Sequence, residues 1–166
     1  MTNLKRLWRH LTTTQASGRR AFSKEVLADI QQTIAEGERL HRAEVRLIIE
    51  PAMPLDDVLE NLHPRARARM LFSDYRVWDT EENCGVLIYL NLADHQVEIV
   101  ADRGVGRLVQ PEEWQAVCDT MIGHLKRGAF RDSTVAALSQ LNELLHRKLP
   151  ATGERVNQLS DKPIIL

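Results

Sequence analysis

The sequence has few of the residues that mark the best-defined kinds of site. Only two of its 166 residues are cysteines, Cys84 and Cys118, and they lie far apart among apolar neighbours. Neither a disulfide framework nor a cysteine zinc site is therefore predicted. The six histidines are scattered without a metal-binding spacing. No run of 18 apolar residues and no apolar signal-peptide core occurs, so we expect a cytoplasmic protein whose contact with a membrane is at most peripheral.

Motifs of phosphate chemistry are also incomplete. Gly104 and Gly106 begin like a dinucleotide-binding loop, but the third glycine is missing. No cysteine is followed six residues later by an arginine, and no two aspartates stand at a spacing of two, so a nucleophile with an adjacent base is not found. Arg65 and Arg69 are typical of a solvated helix face, and no nucleic-acid partner is predicted.

Charge is divided unevenly along the chain. Residues 1–24 carry a charge of +6 and no acid, whereas the whole chain carries −1. Apolar residues at helical spacing predict a basic amphipathic helix and a linker, around Gly18, over residues 1–21. Docking on the domain or on a protein partner is the favoured role of this helix, with contact to an anionic membrane and organelle targeting as alternatives. The predicted contact residues are Leu4, Lys5, Arg6, Leu7, Trp8, Arg9 and Leu11.

Helix and strand patterns alternate over residues 22–150, which we interpret as one domain. Alternating apolar residues predict a strand from Glu44 to Glu50, and two apolar runs, 86–92 and 97–101, predict a hairpin. Helices are predicted after Ser23, from Pro64, from Pro111 and after Asp132 or Ser133. Residues 151–166 are expected to form an extended tail.

The hairpin strand 86–90 is apolar on both faces, which is typical of a central strand. Each predicted helix has a single apolar stripe and would therefore cover one side of a sheet. The pattern predicts an α/β fold, a three-layer α/β/α sandwich with a small mixed sheet. The first two strands should run parallel and the third antiparallel to the second.

Four carboxylates are predicted to approach one end of that sheet: Glu44, Asp79, Glu82 and Asp102. Converging carboxylate oxygens are the ligands of calcium and magnesium, so this group is the candidate metal site. The simpler interpretation, which we favour, is that these carboxylates pair with nearby arginines or cap backbone amides. Asp94 and Gly104 are interpreted as structural turn residues, with Asp94 at the opposite end of the sheet from Asp102.

The hairpin and its flanks resemble the TPM-domain family, which includes thylakoid-lumen, photosystem-repair and bacterial envelope proteins. The resemblance spans about residues 23–150, and its most specific parts are Trp78–Thr80, Asn83–Tyr89, Asp94 and Glu98–Gly104. It implies the α/β/α sandwich, and for some members it implies divalent-metal binding or phosphatase activity. Here Phe22–Ser23 stands where the family usually has an aspartate, and His95 stands where an arginine is common.

Two functions are compatible with these patterns. The first is a non-enzymatic TPM-type module that acts with a protein partner, at a membrane surface in one version of the hypothesis. The alternative is a divalent-metal-dependent phosphatase, a phosphomonoester hydrolase using Glu44, Asp79 and Asp102. The missing nucleophile and the missing aspartate favour the first.

Overall fold

A four-stranded mixed sheet lies at the centre of the computed structural model, which describes residues 3–125, 127–153 and 155–166. The strand order is β3-β2-β1-β4. Strand β1 runs parallel to β2 and to β4, and β3 runs antiparallel to β2. The predicted strand directions are confirmed. The strands are β1 (Glu44–Glu50), β2 (Gly85–Asn91), β3 (Gln96–Ala101) and β4 (Ile164–Ile165).

Helices cover both faces of this sheet. Those of the described chain are α1 (Asn3–Thr12), α2 (Gln15–Ala21), α3 (Lys24–Glu38), α4 (Leu55–Leu59), α5 (Pro64–Asp74), α6 (Arg103–Gly106), α7 (Pro111–Leu125) and α8 (Phe130–Lys148). None of them combines the length and the apolar character needed to cross a bilayer. Helices α3, α7 and α8 pack on one face of the sheet, and α5 packs on the other.

Strand β2 is buried over its whole length and separates two apolar cores. Val86, Ile88 and Leu90 face the larger core under α3, α7 and α8. Leu87 and Tyr89 face the smaller core under α5. Because strand side chains alternate between faces, one apolar run supplies both cores. The three-layer α/β/α sandwich predicted from the sequence is confirmed.

Several helix starts follow from local chemistry. The Ser23 hydroxyl accepts a hydrogen bond from the Val26 N–H and caps α3. Pro64 is the first residue of α5, where its missing N–H has no cost. At α7 the Glu113 carboxylate accepts a hydrogen bond from the Gln110 N–H at 2.9 Å, which is one of the two bonds of a capping box.

Two predicted boundaries are wrong. The linker expected around Gly18 is helix α2, because Thr14 and Ser17 form a reciprocal capping box that starts a helix there. Helix α8 begins at Phe130, ahead of Asp132 and Ser133, and has no side-chain cap. Its start is determined by packing, since the Phe130 ring lies edge-on to Phe22 with centroids 5.7 Å apart.

The C-terminal tail folds back over the sheet and ends in β4, beside β1. Leu159, Ile164 and Leu166 pack against the smaller core. The tail therefore completes the α5 face of the sandwich. The division of the chain into residues 1–21, 22–150 and 151–166 stays a prediction.

The first residue of β2 tests this packing directly. A Cβ on Gly85 would lie 1.8 Å from the carbonyl oxygen of Val77, a backbone atom that cannot move aside. We expect Gly85→Ala to lower the free energy of unfolding by about 1–3 kcal/mol or more, measured by urea denaturation. The control is Gly123→Ala in α7, where a Cβ meets nothing within 4 Å. That variant should gain up to about 1 kcal/mol from helix propensity. Equal effects of the two substitutions would contradict this packing.

Candidate functional site

The carboxylates predicted to form a metal site lie at one end of the sheet. Glu44 pairs with Gly85 across the parallel strands, and the Asp102 N–H donates to the Gly85 carbonyl at 2.9 Å. Asp79 and Glu82 belong to the loop that leads into β2. The topology thus brings residues from three segments to the same end.

Three of these carboxylates bind groups of the protein itself. The Glu44 carboxylate accepts hydrogen bonds of 3.0 Å from the N–H groups of Gln158 and Leu159, and so holds the C-terminal tail. Glu82 lies 2.6 Å from Arg42 and 3.2 Å from Arg155. Asp102 caps α6 by accepting the Arg103 N–H at 2.7 Å.

Asp79 is exposed at the surface of the same loop. Across the described ranges, no three His, Cys, Asp or Glu side chains form a group that could hold a metal ion. The calcium or magnesium site stays a prediction.

Gly104 lies inside α6, although the sequence indicated a turn. Its N–H donates to the Asn83 carbonyl at 2.8 Å, and a Cβ there would lie 2.5 Å from the Glu82 carbonyl oxygen. The Asp102 cap starts a short helix at this point, which explains the difference. Gly104 is therefore needed for the close approach of α6 to the loop before β2.

Sequence reasoning missed an acid at this end, Glu38 at the end of α3. It accepts a hydrogen bond from the Val45 N–H at 2.7 Å. Burial raises the pKa of the Glu38 carboxyl to about 9, and the neighbouring Glu44 and Asp161 charges add to the rise despite the Val45 hydrogen bond. The short connection between α3 and β1 was a usable signal, because it places the end of α3 beside the start of β1.

The opposite end of the sheet contains a buried ion cluster around Asp94. This carboxylate, in the turn between β2 and β3, is only 5% exposed. Arg6 donates to it through Nε at 3.0 Å and through a terminal nitrogen at 2.8 Å. Arg9 donates to its other oxygen at 2.9 Å. A bidentate arginine with a second arginine is a strong arrangement for a desolvated carboxylate.

His10 completes the cluster from the same helix. Its Nδ1 accepts a hydrogen bond from the Met53 N–H at 3.0 Å, so the ring proton is on Nε2. That nitrogen lies 3.2 Å from Asp94 Oδ1. Burial alone would raise the pKa of Asp94, but the neighbouring His10 ring together with the hydrogen bonds and charge of Arg6 outweighs it and holds this pKa well below its ordinary value.

A chain of buried and part-buried hydrogen bonds extends from Asp94 across the sheet edge. The Asp94 N–H donates to the Asn91 side chain at 2.8 Å, and Asn91 donates to the Tyr89 hydroxyl at 2.9 Å. That hydroxyl donates to Glu50 at 2.5 Å, and Arg67 of α5 donates to Glu50 at 2.7 Å. The network therefore connects α1 on one side with α5 on the other through the carboxyl ends of β1 and β2.

The cluster determines which face of α1 is exposed. Its charged face points to the sheet, so the apolar side chains Leu4, Trp8 and Leu11 point outward and are 76%, 67% and 52% exposed. Leu7 is partly buried. Of the predicted contact residues, Arg6 and Arg9 instead bind Asp94. The remaining surface consists of Leu4, Lys5, Trp8 and Leu11, which we call the α1 apolar face.

The Asp94 cluster has no local sequence signal. Arg6 and Asp94 are 88 residues apart, and the turn position of Asp94 gave a sufficient local explanation for an aspartate. Only the acid-free composition of the first 24 residues pointed towards a distant counter-charge.

Comparison with known proteins gives a family and a fold. The TPM-domain profile matches residues 18–144. The BA42 protein of the psychrophilic bacterium Bizionia argentinensis, solved by NMR, superposes with a TM-score of 0.77 at 20% identity, over 87% of this chain and 94% of that one. At this identity the likeness is one of fold. No curated protein matches the chain.

Neutralising Asp94 should release α1. The lowered pKa means that this carboxylate stabilises the fold above its ordinary pKa of 3.8 and that the contribution is lost as the pH falls below that value. We expect Asp94→Asn at pH 7 to weaken docking by about 3 kcal/mol, or roughly 100-fold in the hydrogen-exchange protection of residues 3–12. The exposed Asp74→Asn serves as the control. Unchanged protection in Asp94→Asn would contradict the cluster.

The raised pKa of Glu38 predicts a pH-dependent stability. Between 4.5 and about 9 the folded protein keeps a proton that the unfolded chain loses, so stability falls as the pH rises through this window. Glu38→Gln should remove the fall. Urea denaturation at pH 4.5 should give the same free energy of unfolding for Glu38→Gln and wild type. At pH 8 the variant should be more stable than wild type by on the order of 2–4 kcal/mol. The exposed Glu36→Gln of the same helix should follow the wild-type curve. A Glu38→Gln curve parallel to wild type would refute the assignment.

Proposed function

The chain belongs to the TPM-domain family, and on that premise we propose that it is a non-enzymatic binding module that engages a protein partner through the α1 apolar face. One observation carries the proposal. Leu4, Trp8 and Leu11 are exposed together on a helix whose charged face is held inside by Asp94. An amphipathic helix normally buries its apolar face, so this orientation leaves an apolar surface for another molecule.

The chemistry of this face suits a groove on a protein. Leu4, Trp8 and Leu11 stand at i, i+4 and i+7, the spacing by which a helix inserts into an apolar groove. Tryptophan is among the residues that contribute most to protein interfaces. Because three side chains anchor α1, the helix meets its partner already ordered, which reduces the entropy lost on binding.

The surroundings of α1 are basic, which makes a membrane surface the second setting for the same face. Lys5, Arg19, Arg20 and Lys24 are exposed, and no acid occurs in the first 24 residues. Tryptophan and leucine beside lysine and arginine are typical of helices that lie in an anionic lipid interface. We propose a cytoplasmic module whose partner is a protein, with anionic lipid as the competing interpretation.

The alternative of a divalent-metal-dependent phosphatase is less well supported. A calcium or magnesium ion at Glu44 and Asp102 would compete with their present partners, the amides of Gln158, Leu159 and Arg103. These bonds stabilise the tail and α6, so the arrangement supports structural roles for both carboxylates.

Trp8→Ala tests the proposal because it removes the centre of the face and leaves the Asp94 cluster intact. Trp78→Ala is a matched control, since Trp78 is 49% exposed elsewhere on the surface. Photo-crosslinking from position 11 in cells should capture a partner. Titration of that purified partner should show affinity reduced about 30-fold or more by Trp8→Ala and unchanged by Trp78→Ala.

Vesicles separate the two settings. The membrane interpretation replaces the proposal if two results are found together. Wild-type protein would sediment with anionic vesicles while Trp8→Ala does not, and no crosslinked protein partner would bind the purified chain. Equal partner binding by both tryptophan variants would also refute the proposal.

A further inference from the structure

Strand β3 forms an open edge of the sheet, since among the described strands it pairs with β2 alone. The Asp102 N–H bonds to Gly85, and the antiparallel register then directs the backbone groups of residues 96, 98 and 100 towards β2. The N–H and C=O groups of Val97 and Ile99 point away from the sheet. The register leaves both N–H groups outside the ladder with β2, and no turn or loop backbone bond of the described residues reaches them.

A groove of about 520 Å³ runs along this edge. Val97 and Ile99 form one wall, and Trp114, Cys118 and Ile122 of α7 form the other. These three residues recur every fourth position, so they make a continuous apolar stripe beside the strand. Burial raises the pKa of Cys118 to about 12, so this wall presents a thiol rather than a thiolate.

Two arginines give the groove a net positive charge. Arg65 of α5 lies 3.4 Å from Glu98 and also donates to the Ile99 carbonyl. Arg107, which follows α6, is exposed and lines the groove as well. Among the described residues that line the groove, two guanidinium groups and one carboxylate are charged, an arrangement that favours an acidic ligand.

We propose that this groove binds an extended acidic peptide, which adds to β3 as a fifth strand. The backbone groups of Val97 and Ile99 supply the hydrogen bonds, and the α7 stripe supplies the apolar contacts. The site is separate from the α1 apolar face and does not depend on it.

The two faces of the sheet determine which residues of the peptide should be apolar and which should be acidic. Val97 and Ile99 face the larger core with α7, whereas Val100 faces α5. Because strand side chains alternate, every second residue of the peptide lies against Trp114 and Ile122 and should be apolar. The residues between them lie on the α5 side near Arg65 and should be acidic.

Arg65 acts as an exchangeable cap on the edge. Its side chain is 41% exposed, and the Arg65–Glu98 pair is long at 3.4 Å and open to solvent on the arginine side, so it contributes little to stability. On binding, the guanidinium leaves the Ile99 carbonyl for a carboxylate of the peptide, and the carbonyl accepts a peptide N–H instead. In the free protein the same contact discourages pairing between edges.

The test uses a fluorescein-labelled heptapeptide of alternating valine and glutamate, titrated into the full chain. Its affinity should exceed that of the valine–lysine analogue at least tenfold. In amide NMR spectra the Val97 and Ile99 signals should shift most. Two further peptides are N-methylated, one at its valine amides and the other at its glutamate amides. Because alternate N–H groups of a strand point to opposite sides, only one of these two sets faces β3. Methylation of that set should abolish binding, and methylation of the other set should not.

Two substitutions examine the walls of the groove. Trp114→Ala should weaken binding at least tenfold while Trp78→Ala leaves it unchanged, and Arg107→Glu should shift the preference towards the lysine peptide without affecting the core. Absence of Val97 and Ile99 shifts at millimolar peptide would overturn the proposal, as would equal binding of both methylated peptides. If the same amides shift with protein concentration alone, the edge pairs with a second copy of the chain and the peptide site is refuted.

Discussion

The pairing of the buried Asp94 carboxylate with Arg6 and Arg9 is the interaction that keeps the α1 apolar face exposed. The position of Asp94 in the β2–β3 turn is set by the sheet, and the desolvated charge needs cationic partners. Arg6 and Arg9 lie on one side of α1, so satisfying Asp94 turns that side inward. Turning α1 over would remove both arginines and leave the buried charge uncompensated, which is why the orientation of the helix is strongly specified even though its apolar side remains in water.

Much of the architecture could be predicted from residue patterns. Strand β1 has the predicted bounds, Glu44–Glu50, because alternation and the following Pro51 act within a few residues. The starts of α5 and α7 follow from Pro64 and Pro111. The start of α8 was missed because Phe130 contacts Phe22 across the fold, a contact that no local pattern reports.

The candidate site was predicted less well, because its contacts join residues that are far apart in the sequence. Convergence of Glu44 and Asp102 at one sheet end followed from strand directions alone, but their bonds to the tail and to α6 depend on how loops fold. Asp94 was assigned to a turn, and its role in the ion cluster arises from a helix 88 residues away. Family membership accounts for the sandwich, whereas the function we propose depends on the surfaces of this particular chain.

The orientation of α1 is the central claim, and solvent paramagnetic relaxation measures it most directly. With a soluble gadolinium probe, the methyl groups of Leu4 and Leu11 and the Trp8 indole should relax strongly, while the ring protons of His10, which is 3% exposed, should be protected. The reverse pattern, with protected leucine methyls and an accessible His10 ring, would show that α1 buries its apolar side and would contradict the account.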